Sequence, residues 1–254
     1  QEKKDHVMKA AKITLGAALV LACALPAYAD DNDLLPVETI GGKFVGNVGW
    51  TTDYLFRGLT QTTHDPAIQG SVEYDHDSGL YIGVWGSSIN FVDTLGKQAQ
   101  LETDFYGGWR GSSDALSYGI GAIGYYYVDT TGVNYAEATA SLGYDFGVVN
   151  VTGSVFYTPE YTFNSGDAVY VSGDAGVPIW KSVSVGLHVG HQSIDKNANF
   201  GTPDYTDWSI ALNAVVLGFN TQLKFSDTDI STAQCFGGTN ACDAQALFTI
   251  SRSF

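Results

Sequence analysis

From Phe44 onward, apolar and polar residues alternate with period two in one short segment after another. Successive side chains of a strand point to opposite faces, so these segments predict sheets with two unlike faces. Phe44, Val48, Trp50, Tyr54 and Phe56 share one face, with Asn47, Thr51, Asp53 and Arg57 on the other. Leu101, Phe105 and Trp109 oppose Gln100, Glu102, Asp104 and Arg110, and Val183, Val185, Leu187 and Val189 oppose Ser184, Gly186, His188 and Gly190. Twelve segments follow this rule: 44–56, 67–76, 80–91, 99–110, 115–128, 134–146, 148–158, 167–177, 180–193, 206–217, 218–227 and 244–254. Tight connections, among them 77–79, 111–114, Gly147, Pro178-Ile179 and 217–219, alternate with longer polar ones around 57–66, 92–98, 129–133, 159–166, 194–205 and 228–243. The expected class is all-β: an antiparallel transmembrane β-barrel of about twelve strands, with short periplasmic turns and longer extracellular loops.

A secreted sandwich or soluble barrel would also alternate. Aromatics at Trp50/Tyr54, Tyr81/Trp85, Tyr144/Phe146 and Trp208 read instead as interfacial girdles, and the acids, amides, serines and glycines opposite them suit a watery lumen. The chain closes on Leu247-Phe248-Thr249-Ile250-Ser251-Arg252-Ser253-Phe254. An alternating segment ending in Phe254 resembles the terminal strand that outer-membrane assembly machinery reads, although Arg252 departs from the usual apolar residue.

Charge narrows the partners. Only 15% of residues are charged, and 27 acids face 12 bases for a net −15. No basic run exceeds Lys3-Lys4, so nucleic acid, which needs a cationic face, is excluded as a partner.

The N-terminal region reads as an export signal. Met8 is the expected start, Lys9 and Lys12 form a positive region, Ile13 to Leu25 is apolar, and Pro26-Ala27-Tyr28-Ala29 supplies an A-x-A cleavage site before Asp30. The expected organisation is a signal peptide at 1–29, a periplasmic tail at 30–43 and a barrel at 44–254. A lipoprotein anchor at Cys23 is disfavoured because Leu21 stands where a small residue is preferred. The exported product keeps Cys235 and Cys242, separated by Phe-Gly-Gly-Thr-Asn-Ala, which reads as a local disulfide. A zinc pair is the weaker alternative, lacking further ligands nearby.

The segment Gly49-Trp50-Thr51-Thr52-Asp53-Tyr54-Leu55-Phe56-Arg57-Gly58-Leu59-Thr60-Gln61-Thr62, with Pro66-Ala67-Ile68-Gln69-Gly70 and Asp77-Ser78-Gly79-Leu80-Tyr81-Ile82-Gly83-Val84-Trp85, resembles the TorF-type porin family of proteobacterial outer membranes. The resemblance continues through the cysteine-containing last loop to Phe254. It implies a small β-barrel pore in the outer membrane of a Gram-negative bacterium, with no established substrate and no catalytic residues to carry over.

Other motifs carry less. Gly119-Ile-Gly121-Ala-Ile-Gly124 fits a dinucleotide pattern, but Tyr125-Tyr126-Tyr127 continues a strand where a helix is required. Asp227-Thr-Asp229-Ile-Ser231 begins like a calcium loop, yet Thr232 replaces the turn glycine. His188 and His191 lie three apart on a strand, hence on opposite faces. A lipid hydrolase would need a serine marked as partner to His191, and none is. The expectation is therefore a porin-like channel for passive diffusion of small hydrophilic solutes, without enzyme activity, cofactor or metal. Its lumen candidates are Asp53, Arg57, Glu73, Asp75, Glu102, Asp104, Arg110, Glu137, Asp145, Asp174, His188 and Lys224, whose acidic surplus predicts cation preference. The expected partners are outer-membrane lipids, lipopolysaccharide, the assembly machinery and small solutes. The alternatives are a plugged structural or adhesive surface barrel and, ranked below it, an outer-membrane lipid hydrolase.

Overall fold

A computed structural model describes residues 41–93 and 95–254; the expected signal peptide and all but the end of the expected tail lie outside the described residues. The strands are β1 (Gly42–Thr51), β2 (Leu55–Phe56), β3 (Leu59–Thr60), β4 (Ala67–His76), β5 (Leu80–Val92), β6 (Gln98–Ser113), β7 (Leu116–Tyr127), β8 (Tyr135–Asp145), β9 (Asn150–Thr158), β10 (Ala168–Trp180), β11 (Val183–Ile194), β12 (Tyr205–Val216), β13 (Phe219–Thr228) and β14 (Gln245–Ser253). All but β2 and β3 form one closed antiparallel barrel of twelve strands. Closure joins β1 to β14 from Asn47↔Ser253 to Thr51↔Thr249, and leaves no unpaired edge. Phe254 extends that seam by exchanging backbone hydrogen bonds with Gly46 (2.8 and 3.0 Å). Its ring lies on Gly46, where an added Cβ would stand 2.5 Å from Phe254 Cε2.

One end of the barrel carries the tight turns. Leu217 (φ 53°) and Gly218 (φ 80°) form a two-residue turn with both central φ values positive, which suits the strand twist. The other end carries the long loops. One expected turn lies elsewhere: β10 runs past Pro178-Ile179 to Trp180. Its ladder with β9 stops at Gly176↔Asn150, and the register against β11 slips between Pro178 and Trp180, so the missing proline N–H breaks no ladder bond toward β9.

The outer wall is apolar. Val48, Ile68, Val72, Ile82, Phe105, Ile120, Leu187, Val189, Ile210 and Leu223 all point away from the axis and are exposed. Trp50, Tyr126, Tyr157 and Trp208 ring the long-loop end of this belt, while Trp109, Tyr144 and Phe219 ring the short-turn end. A closed sheet with such a belt is stable against hydrocarbon because its strands pair their backbone groups with one another around the whole wall.

Two sequence expectations fail at this level. The first segment does not run to residue 56: β1 ends at Thr51, and the chain then turns into the barrel. Tyr54, Tyr81 and Trp85 are not girdle residues. Tyr54 and Trp85 are buried inside with rings 5.4 Å apart, and Tyr81 lies on the inward face of β5.

Cys235 and Cys242 are bonded to each other in the loop before β14. Because the loop contributes nothing to the wall ladders, reduction is expected to expose residues 236–241 to protease while moving the thermal midpoint by only a few degrees. Parallel proteolysis and thermal unfolding of oxidised and reduced protein measure both; a collapse of the midpoint on reduction would contradict this.

A second clasp at the same end depends on acid. The Asp93 carboxylate accepts backbone N–H bonds from Leu95 (2.9 Å), Lys97 (2.8 Å) and Thr131 (2.9 Å), tying two loops together. Desolvation works to raise its pKa, but the three donors and the Lys97 charge outweigh it, and the net shift is downward. The clasp is therefore complete above the ordinary carboxylate range of about 4 and is lost only as pH falls through the depressed value. The protection factor of the Thr131 amide, its exchange rate relative to an unstructured peptide at the same pH, should hold at mildly acidic pH and fall below it; a protection factor already lost near neutrality would contradict the assignment.

Candidate functional site

The barrel interior is divided. Its long-loop half is filled by side chains around an inserted hairpin, and its short-turn half holds a separate charged cluster around Arg110. The filling starts where β1 ends. Thr51 Oγ1 donates to the Asp53 carbonyl (2.8 Å), and the Asp53 carboxylate accepts from Thr60 Oγ1 (2.6 Å) and Thr62 Oγ1 (2.7 Å) and pairs with His64 Nδ1 (3.0 Å). These bonds clamp both arms of a miniature hairpin, β2–β3, inside the barrel. Arg57 (φ 48°) and Gly58 (φ 80°) form its tip. Glycine is required at Gly58: a Cβ there would meet Thr228 Cγ2 at 2.6 Å and Asp207 Cβ at 2.8 Å, besides the positive φ.

Arg57 anchors the tip. One terminal nitrogen donates to Glu137 Oε2 (2.6 Å) and the other to Gln192 Oε1 (2.7 Å). The guanidinium also lies over Tyr170 (4.3 Å), Phe56 (4.8 Å) and Phe156 (5.1 Å). Both charged side chains are 1% exposed. Tyr125 donates its hydroxyl to the same Glu137 Oε2 (3.0 Å), the Tyr161 hydroxyl accepts from the guanidinium, and Glu137 Oε1 has no hydrogen-bond partner.

Behind the tip, Tyr170 links the plug to the wall. Its hydroxyl donates to Asp207 Oδ2 (2.8 Å), and His188 bridges Asp207 Oδ1 through Nε2 (3.0 Å) and Asp174 Oδ1 through Nδ1 (2.7 Å). The Tyr170 ring lies over Gly190, where an added Cβ would overlap its hydroxyl. Gly190→Ala should therefore displace Tyr170 and cost about 1–3 kcal/mol by overpacking; unchanged urea unfolding would contradict this packing.

Glu102 and Asp104 project inward from β6 with 0% and 1% exposure. Tyr127 donates to Glu102 Oε1 (3.2 Å) and the Tyr54 hydroxyl also bonds Glu102, while Asp104 Oδ1 is buried without a partner. In the short-turn half, one Arg110 terminal nitrogen bonds Glu73 (2.5 Å) and Asp75, with the guanidinium over Tyr81 (4.5 Å). Asp145 is exposed at the short-turn rim and accepts the Gly147 N–H (2.7 Å), and Lys224 lies on the inward face of β13.

The residues expected in the lumen thus fall into three groups. Arg57, Glu137, Asp174 and His188 join the plug network, with Glu102 and Asp104 buried beside it. Glu73, Asp75 and Arg110 form a separate cluster, and Asp145 belongs to a turn. Asp53 and Arg57 reach the interior on the inserted hairpin and not from the face of β1. Gln192, Asp207 and the interior tyrosines join the network without having been expected there, although Asp207 alternates with Trp208 and Gln192 with His191. Gly119–Gly124 lies wholly within β7. Asp227 and Asp229 each accept a backbone N–H, from Thr228 and Thr206 (both 2.8 Å). His191 faces outward beside Thr206 (3.1 Å), and Ser78 bonds His76 (2.7 Å) within a tight turn. Among the described residues no cluster of three or more acids, histidines or cysteines is arranged for a metal ion.

Residues 38–254 match the family described as "Bacterial protein of unknown function (Gcw_chp)". The chain belongs to that family. No curated protein matches this Gcw_chp chain in sequence. Its fold is similar to that of the KdgM porin, with a TM-score of 0.54 at 7% identity, covering 83% of this chain and 99% of that one. The KdgM porin in complex with disordered oligogalacturonate gives a TM-score of 0.56 at 6% identity, over 83% and 99% of the two chains. The NanC porin gives 0.51 at 10% identity, over 83% and 97%. At such identities the likeness is one of fold.

Proposed function

We propose that this protein is an outer-membrane channel for passive diffusion of small hydrophilic solutes, held closed by the hairpin at residues 52–66. The observation that carries this reading is the nature of the closure. Strands β2 and β3 ladder with each other and join no wall strand, and the tip is held through the side chain of Arg57. A wall-filled barrel has nothing to withdraw, whereas a separate hairpin, packed inside through Tyr54, Phe56 and Leu59 and tied by a few polar bonds, does. Twelve strands also enclose more space than the roughly eight that side chains alone fill.

On this reading the tight turns face the periplasm, the long loops face outward, and lipid and lipopolysaccharide cover the belt. Phe254 serves as the assembly signal, residues 1–29 direct export, and the kinship is with TorF-type porins. Solutes cross without a chemical step, so no catalytic residue is assigned. Glu102 and Asp104 favour cations and neutral solutes over anions once the hairpin moves. An anionic saccharide such as the oligogalacturonate named with the KdgM porin does not suit this interior.

The low exposure of the plug favours a second reading, a permanently sealed structural barrel. Swelling of proteoliposomes separates the two. Arg57→Ala should admit a pentose and a small ammonium solute several-fold faster than the wild type, and oligogalacturonate not at all. No swelling by any variant in any solute would leave the sealed barrel.

A further inference from the structure

The site that holds Arg57 has the parts of a receptor for a free cation. A carboxylate from β8 (Glu137), an amide from β11 (Gln192) and the rings of Phe156 and Tyr170 from β9 and β10 converge on one guanidinium from four different wall strands. Carboxylates and stacked aromatic faces recognise guanidinium and ammonium groups generally. Here the wall supplies all four elements, while the hairpin supplies only the cation and the Phe56 ring.

Arg57 fills the site incompletely. Glu137 Oε1 is buried with no partner, in a side chain only 1% exposed. A further buried carboxylate oxygen, Asp104 Oδ1, has no donor. Acceptor capacity in this half of the lumen therefore exceeds what the tethered guanidinium uses. The tether also holds Arg57 at φ 48°, a conformation most side chains avoid. A free guanidinium could present its N–H groups to Glu137 and Gln192 without that constraint.

We propose that Glu137, Gln192, Phe156 and Tyr170 form a binding site for a small organic cation bearing a guanidinium or primary ammonium group, and that Arg57 occupies it as a tethered competitor. Binding of such a solute displaces the tip, so the same contacts select the solute and release the hairpin. This deepens the channel reading by naming its solute class and rests on it for the release step, but the site itself does not require conduction.

The experiment uses the full chain folded in detergent micelles, with methylguanidinium as probe and methylurea as its uncharged isostere. Strand content by circular dichroism and heat-modifiable gel migration establish folding, with Arg57→Gln as the substitute if Arg57→Ala does not fold. In the Arg57 variant, methylguanidinium should raise the thermal midpoint at concentrations at least tenfold lower than in the wild type, where Arg57 competes. Methylurea should not reproduce the shift, and adding Glu137→Gln should abolish it. Equal responses to both probes, or a response that survives Glu137→Gln, would overturn the site. Bilayer conductance of the same variant is the separate arm. A selective thermal shift supports the site even in a barrel that never conducts, whereas conduction without a selective shift overturns the site and spares the channel.

Discussion

Removing the Arg57 side chain is expected to destabilise the barrel by about 3–5 kcal/mol, the usual cost of stripping one partner from a buried ion pair. The charged groups are 2.6 Å apart and 1% exposed, so Glu137 would be left as an uncompensated buried carboxylate. Water entering behind the loosened tip would rehydrate it in part, which places the loss at the lower end of that range. Glu137→Gln alone should cost less, because glutamine keeps a hydrogen-bonding oxygen for Arg57 and Tyr125. The double variant should be less destabilised than the sum, with a coupling of about 0.5–3 kcal/mol. Urea unfolding in lipid vesicles measures all three. Strict additivity would mean that Arg57 and Glu137 do not act together, and the anchor would have to lie elsewhere on the hairpin.

A second large effect is expected on ion selectivity. With the hairpin released by Arg57→Ala, Glu102 and Asp104 become the least compensated charges in the lumen. Glu73 and Asp75 stay paired with Arg110, and Asp174 and Asp207 with His188. Carboxylates in a narrow, partly low-dielectric passage concentrate cations and oppose anions. Adding Glu102→Gln and Asp104→Asn should therefore lower the cation-to-anion permeability ratio several-fold. The ratio should also fall toward 1 M salt, where the Debye length is about 3 Å. Reversal potentials across a salt gradient give the ratio. Anion preference in the released channel, or a ratio indifferent to both neutralisations, would remove these two residues from the permeation path.

The wall is legible in the sequence because its physics is local. Each strand declares its two faces by alternation, and Gly218 or the Ser78-Gly79 pair marks the turns. The hairpin is not legible. Tyr54 and Phe56 continue the period-two rhythm of β1, so nothing in the pattern announces that the chain leaves the wall after Thr51. The clamp that turns it inward, Asp53 with Thr60 and Thr62, exists only once the segment is folded. Tyr81 and Trp85 mislead for a different reason. An aromatic pair suggests a girdle, yet Ile82 and Val84 already fix the outward parity of β5 and leave both rings inside. The plug network lies beyond the reach of any local pattern: Arg57 meets Glu137 and Gln192 across 80 and 135 residues of chain, and barrel closure creates that proximity. The inward direction of Asp207 follows from its alternation with Trp208, but its bonds to Tyr170 and His188 do not.

Single-channel recording in planar bilayers tests closure by the hairpin most directly. Wild-type protein would be compared with a chain in which residues 54–61 are replaced by a short glycine-serine link, leaving every wall strand intact. The wild type should be closed most of the time with brief, infrequent openings, and the replaced chain should give steady, ohmic current in uniform steps. If the folded replacement conducts no more than the wild type, the hairpin is not what closes this barrel.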